Sequence, residues 1–168
     1  KAVSMIEEAE RPCIVAGEGV LRANATDKLV HFAEYLEAPV FTAWRRFDVF
    51  PNKHPLYMGG LHLTSISNDL SDPLKKADLI IAIGTRLDEF TTLNYTSPSR
   101  NQKLIHIDQS PEDTGGIWIG ADLALVADAG EAIIKIEGAL KHSKRLKPSK
   151  ARQTQIVDWR EHYTKRTT

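Results

Sequence analysis

In Ala77-Asp78-Leu79-Ile80-Ile81-Ala82-Ile83-Gly84-Thr85-Arg86-Leu87-Asp88, five apolar residues run without a polar interruption and stop at a glycine. A strand with one wet face alternates apolar and polar residues, whereas a strand covered on both faces reads as a continuous apolar run. Working outward, similar short runs stand at Cys13 to Ala16, Pro39 to Thr42, Leu104 to Ile107 and Leu123 to Ala127, spaced by helical or loop segments. This alternation predicts an α/β fold built on a parallel sheet.

The intervening segments fit that reading. Ala2, Val3, Ile6 and Ala9 share one side of an opening helix. Leu29, Phe32, Ala33 and Leu36 follow helical spacing, with Asn24 or Thr26 available as N-cap, and Pro39 closes the helix by excluding its predecessor from the α region. Ser67 to Ala77 reads as a helix only if Pro73 falls in a first turn. A short strand is expected near Leu56 to Met58, and Ala129 to Leu140 predicts a terminal helix with Ile133, Ile136 and Leu140 on one side. From Lys141 onward the chain turns basic and proline-marked, as an interdomain linker would.

Composition narrows the function. Lys plus Arg and Asp plus Glu both number 22, so no global field favours nucleic acid or an anionic membrane surface. No apolar run approaches the roughly 18 to 20 residues that a bilayer-spanning helix needs. The single cysteine, Cys13, lies within an apolar run, which predicts a core residue and a reducing, cytoplasmic setting. The six histidines show no paired ligand spacing, so no metal site is expected, and no nucleophile elbow or Walker loop supplies catalysis. The chain starts at Lys1, inside a helical pattern, as a domain taken from a longer protein would.

In an open parallel sheet, ligands gather beyond the carboxyl ends of the strands. That rule selects Gly17-Glu18-Gly19, Ala43-Trp44-Arg45, Gly84 through Asp88, Asp108-Gln109 and Asp128-Ala129. Glycine lets backbone N–H groups approach a phosphate, Thr85 and Arg86 could donate to one, and Asp108 or Asp128 could accept from a ribose hydroxyl. Each feature has a plainer reading. Gly17 and Gly19 lack the third glycine of a dinucleotide fingerprint, and a tight turn would need them for its backbone angles. Arg86 and Asp88 could pair with each other, and His106 could be a satisfied core histidine.

Taken in order, Arg11 to Val20, Ala38 to Thr42, Phe50 to Gly59 (with Pro51, His54, Pro55, Leu56 and Tyr57), Ala77 to Asp88 and Lys103 to Asp108 resemble the central domain of thiamine-diphosphate-dependent enzymes. These are the acetolactate synthases and the benzoylformate decarboxylase-like enzymes. The resemblance covers residues 1–140 and leaves 141–168 as linker. It implies a Rossmann-like six-stranded parallel sheet, order 3-2-1-4-5-6, with helices on both faces. It also implies a parent lyase or transferase acting on 2-keto acids, with thiamine diphosphate and Mg²⁺ held by flanking pyrimidine- and pyrophosphate-binding domains, and a homo-oligomeric assembly. No catalytic residue is expected within this chain. The family's central domain holds FAD, ADP or nothing, and the FAD pattern falls on Gly17, Gly19, Thr42, His62, Gly84, Arg86, Asp88, Asp108 and Asp128. It departs at Phe90, where the FAD branch carries an arginine, and at Thr91-Thr92-Leu93. Against this reading stands a self-standing NAD- or FAD-binding Rossmann-like domain.

Overall fold

A computed structural model of the chain describes residues 1–62, 72–115, 119–143, 153–154 and 156–161. Its centre is a six-stranded, all-parallel sheet of order β3-β2-β1-β4-β5-β6. The strands are β1 (Pro12–Ala16), β2 (Val40–Thr42), β3 (Tyr57–Gly60), β4 (Leu79–Ile83), β5 (Lys103–Asp108) and β6 (Leu123–Val126). All residues of β1 and β4 are buried, as continuous apolar runs require of strands covered on both faces. At the β6 edge the pattern becomes partly exposed and alternating.

Helices α1 (Ala2–Glu8), α2 (Glu18–Arg22) and α3 (Thr26–Leu36) each touch α5 (Ala129–Lys141), α3 most extensively. The expected apolar side of α3 is intact, since Leu29, Phe32, Ala33 and Leu36 are all buried. Its ends differ from expectation. Ala25 occupies the N-cap with no side-chain capping bond, and Thr26 is already helical. Glu37, in the left-handed region at φ 49°, ends the helix two residues before Pro39. Helix α4 (Asp72–Lys76) tolerates Pro73 in its first turn, where no intrahelical N–H bond is lost. Residues 67–71 of the expected longer helix lie outside the described residues.

The β2–β3 connection is an aromatic-rich loop, with Phe50 fully buried and set against both His54 and Tyr57. Described residues beyond α5 return to this side of the sheet. Helical residues 156–161 bury Ile156, and the Arg160 guanidinium donates to the carbonyls of Tyr57 (2.8 Å) and Asn52 (2.7 Å) while lying over the Tyr57 ring.

Candidate functional site

Strand order reverses between β1 and β4, and the chain parts there at the carboxyl edge of the sheet. The two loops meet through glycine. A Cβ on Gly17 would lie 2.5 Å from the Gly84 carbonyl oxygen, and one on Gly19 would lie 2.6 Å from the Gly84 Cα. Gly84 itself sits at φ +61°. Gly17 is extended at φ −128°, so close approach, not an unusual backbone angle, is what requires glycine there. The N–H groups of Gly17, Gly19 and Gly84 donate to the carbonyls of Ile83, Gly84 and Ile107, at 2.9, 2.9 and 2.7 Å. These three amides thus hold three strand ends together.

Beside this junction opens a cleft of about 880 Å³. Of the residues selected from sequence, Gly19, Gly84, Thr85, Arg86, Asp88 and Asp108 lie on its walls. Gly17, Thr42, His62 and Asp128 do not. Thr42 is fully buried at the tip of β2, and its hydroxyl has no hydrogen-bond partner. His62 stands against the Trp44 ring at 5.8 Å. Asp128 is the N-cap of α5, accepting from the Glu131 N–H at 3.1 Å and from Gln109 Nε2 at 3.0 Å.

The polar side chains on the walls are largely committed to one another. Glu18 accepts from Arg22 Nε at 3.0 Å and faces Arg46 at 3.5 Å. The Arg22 hydrogen bond, followed by the charges of Arg22 and Arg46, holds the Glu18 carboxyl below its ordinary pKa. Arg86 pairs with Asp113 at 3.4 Å, not with Asp88. Asp88 instead accepts from the Thr91 N–H at 2.8 Å and so closes the first turn of its own loop. Asp108 accepts from the Ser110 N–H at 2.9 Å in the same manner.

His106, fully buried on β5, braces the floor: Nε2 donates to the Thr85 carbonyl at 2.7 Å and Nδ1 accepts from the Gly115 N–H at 3.0 Å. An acceptor Nδ1 requires the neutral ring. Burial pushes its pKa down, outweighing the Thr85 carbonyl and the charges of Asp108 and Asp113. It is the satisfied core histidine expected from its place in the strand.

Trp44 and Arg45, selected as strand-end residues after β2, are also on the walls. Phe90, Tyr95 and Asp113, which were not selected, come from loops beyond the strand ends, Phe90 being the position at which the FAD pattern departs. Trp44 and Phe90 stack at 5.1 Å with an interplanar angle of 11°. Among the described residues no group of three or more His, Cys, Asp or Glu side chains is placed to hold a metal ion.

A six-stranded, all-parallel sheet with a cleft at its switch point defines an open α/β domain of Rossmann-like topology. Within that class, residues 1–136 match the family model for the thiamine pyrophosphate enzyme, central domain, and the chain belongs to this family. It is 34% identical over 161 residues to the acetolactate synthase large subunit of Corynebacterium glutamicum, a match covering 95% of the chain and 24% of that protein. It is 35% identical over 118 residues to a sulfoacetaldehyde acetyltransferase of Roseovarius nubinhibens, covering 68% and 19%. Among solved structures, the thiamine diphosphate-dependent 4-hydroxybenzoylformate decarboxylase of Rhodococcus jostii superposes with a TM-score of 0.68 at 29% identity, over 88% of this chain and 28% of that one. The chain therefore spans about a quarter of the length of the relatives it matches. The expected sheet order is observed, and no described helix is long and apolar enough to cross a membrane.

Proposed function

We propose that the chain is the central, structural and interface domain of a thiamine-diphosphate-dependent lyase or transferase acting on 2-keto acids. On this reading its cleft is a nucleotide site, for ADP or FAD, and the domain has no catalysis of its own. The observation that carries the reading is the position of the cleft at the β1/β4 switch point of a family-matched sheet, with no group of metal-ligating side chains among the described residues. A phosphate here would be met by arginine side chains, because the glycine N–H groups are already bonded.

Thiamine diphosphate supplies the carbanion chemistry when bound, and in this proposal it and Mg²⁺ belong to flanking domains. This chain's described side chains offer no cluster suited to the metal. Further copies of the parent and those flanking domains are the proposed partners, in a cytoplasmic setting.

Isothermal titration of the chain with ADP, FAD and thiamine diphosphate in turn tests the reading. Uptake of ADP or FAD that weakens in Arg86→Ala supports a working cleft. Silence toward both nucleotides leaves a structural spacer, and tight thiamine diphosphate binding overturns the domain assignment.

A further inference from the structure

We propose that His106 is a proton-operated latch: with a neutral ring it holds the loop after β5 to the loop after β4, and in acid it releases the first while keeping the second. The inference goes beyond the nucleotide reading and does not depend on what the cleft holds.

The two partners fix the state of the ring. Nε2 lies 2.7 Å from the Thr85 carbonyl oxygen, which can only accept, so Nε2 carries the hydrogen. Nδ1 lies 3.0 Å from the Gly115 backbone nitrogen, which can only donate, so Nδ1 is bare. A second proton has to enter at Nδ1, where its N–H and that of Gly115 would then face each other as two donors. The bond to Thr85 survives that change, so the release is one-sided.

The loop after β5 is tied mainly to itself. Asp108 Oδ1 accepts from the Ser110 N–H at 2.9 Å, the Ser110 carbonyl accepts from the Thr114 N–H at 3.0 Å, and the Thr114 hydroxyl returns to the Ser110 carbonyl. The Gly115 carbonyl accepts from the Ala121 N–H at 2.8 Å, on the way to β6 and away from β4. Besides His106, the described link from this loop to the β4 loop is the Arg86–Asp113 pair at 3.4 Å. The Arg86 side chain is 76% exposed, and a pair so open to water contributes little.

Among the described residues, the charges acting on the ring are Asp108 at the end of its own strand and Asp113 in the loop, with Arg86 opposite Asp113. Its register neighbours, Ala82 on β4 and Ala124 on β6, carry none. Burial opposes the proton more strongly than the carboxylates favour it, so the latch is closed at neutral pH. Opening brings the ring to water, and acid therefore stabilises the open form. Gln109, Ser110 and Asp113 of one loop and Thr85 and Arg86 of the other all line the cleft, so the latch couples two parts of its lining.

Amide hydrogen exchange of the full chain, read residue by residue by NMR from about pH 7.5 to about pH 5.5 and corrected for the intrinsic pH dependence of exchange, tests the latch. Gly115 protection should fall about tenfold over that range, the ratio expected of a ring that regains its ordinary pKa of about 6.5 only when the loop opens. Low urea should leave Gly115 exchange unchanged while accelerating that of Ile81 in the buried strand β4. His106→Asn, which keeps an acceptor and cannot titrate, should abolish the fall. Arg86→Ala should leave Gly115 protected at neutral pH and retain the fall, and it carries the test if His106→Asn does not fold. Constant Gly115 protection across the range, an equal fall in His106→Asn, or lost protection at neutral pH in Arg86→Ala overturns the latch. So does Gly115 exchange that tracks Ile81 in urea, because the loop would then open only when the whole sheet unfolds.

Discussion

Gly84 carries more constraint than any other single residue at the switch point. Its φ of +61° disfavours any side chain, and a Cβ would come within 2.6 Å of the Gly19 Cα, a backbone atom that cannot step aside. Gly84→Ala should therefore cost at least about 2 kcal/mol, seen as a lower urea midpoint, with the left-handed backbone and the contact both contributing. His106 supplies a pH dependence. Its folded pKa lies below its ordinary 6.5, so the unfolded chain takes up the proton first as pH falls. The stability that His106 contributes is present above about pH 6.5 and is lost as pH drops below it. Urea midpoints measured from about pH 7.5 down to about pH 5.5 should fall. In His106→Gln, with no titrating group at this site, that part of the slope should shrink. Histidine in an apolar strand was readable as a core residue, but its two partners, Thr85 and Gly115, come from separate loops that only folding brings together.

At the scale of elements, strand positions were legible because burial on both faces leaves a continuous apolar run, and Leu79–Ile83 emerges with the limits its sequence implies. Helix ends were less so. The α3 cap falls on Ala25, whose side chain has nothing to offer, and the fold holds that end through backbone bonds such as Leu29 N–H to the Ala25 carbonyl at 2.9 Å. At α5 the cap is Asp128, selected from sequence as a ribose acceptor. Removing it in Asp128→Ala should lower stability by about 1 kcal/mol, the usual worth of an N-cap, measurable by thermal unfolding. The far end of the chain gives a second test. Arg160 satisfies two carbonyls beside β3 and covers the Tyr57 ring, so Arg160→Ala should speed amide hydrogen exchange in β3 more than in β4. Equal acceleration of both strands would mean that the contact stabilises the whole sheet and not its edge.

For the molecule as a whole, the sheet and its helices enclose one connected core in which Cys13 is completely buried and its thiol pKa is pushed far up by desolvation. Labelling of Cys13 by a thiol reagent should be negligible in the native protein and should follow global unfolding as urea rises, which a stopped-flow or gel-shift assay would report. Fast labelling without denaturant would show that the β1 end opens locally. By itself the sequence determined the α/β class, the strand runs, the family resemblance and the edge of the sheet at which a site would form. Those depend on local periodicity and on residues adjacent in the chain. Only the tertiary structure decided which strand-end residues share the cleft, that the Gly17, Gly19 and Gly84 amides are consumed by their neighbours, and that Trp44 meets Phe90. Such choices depend on distances between loops far apart in sequence, and the packing of a parallel sheet sets those distances.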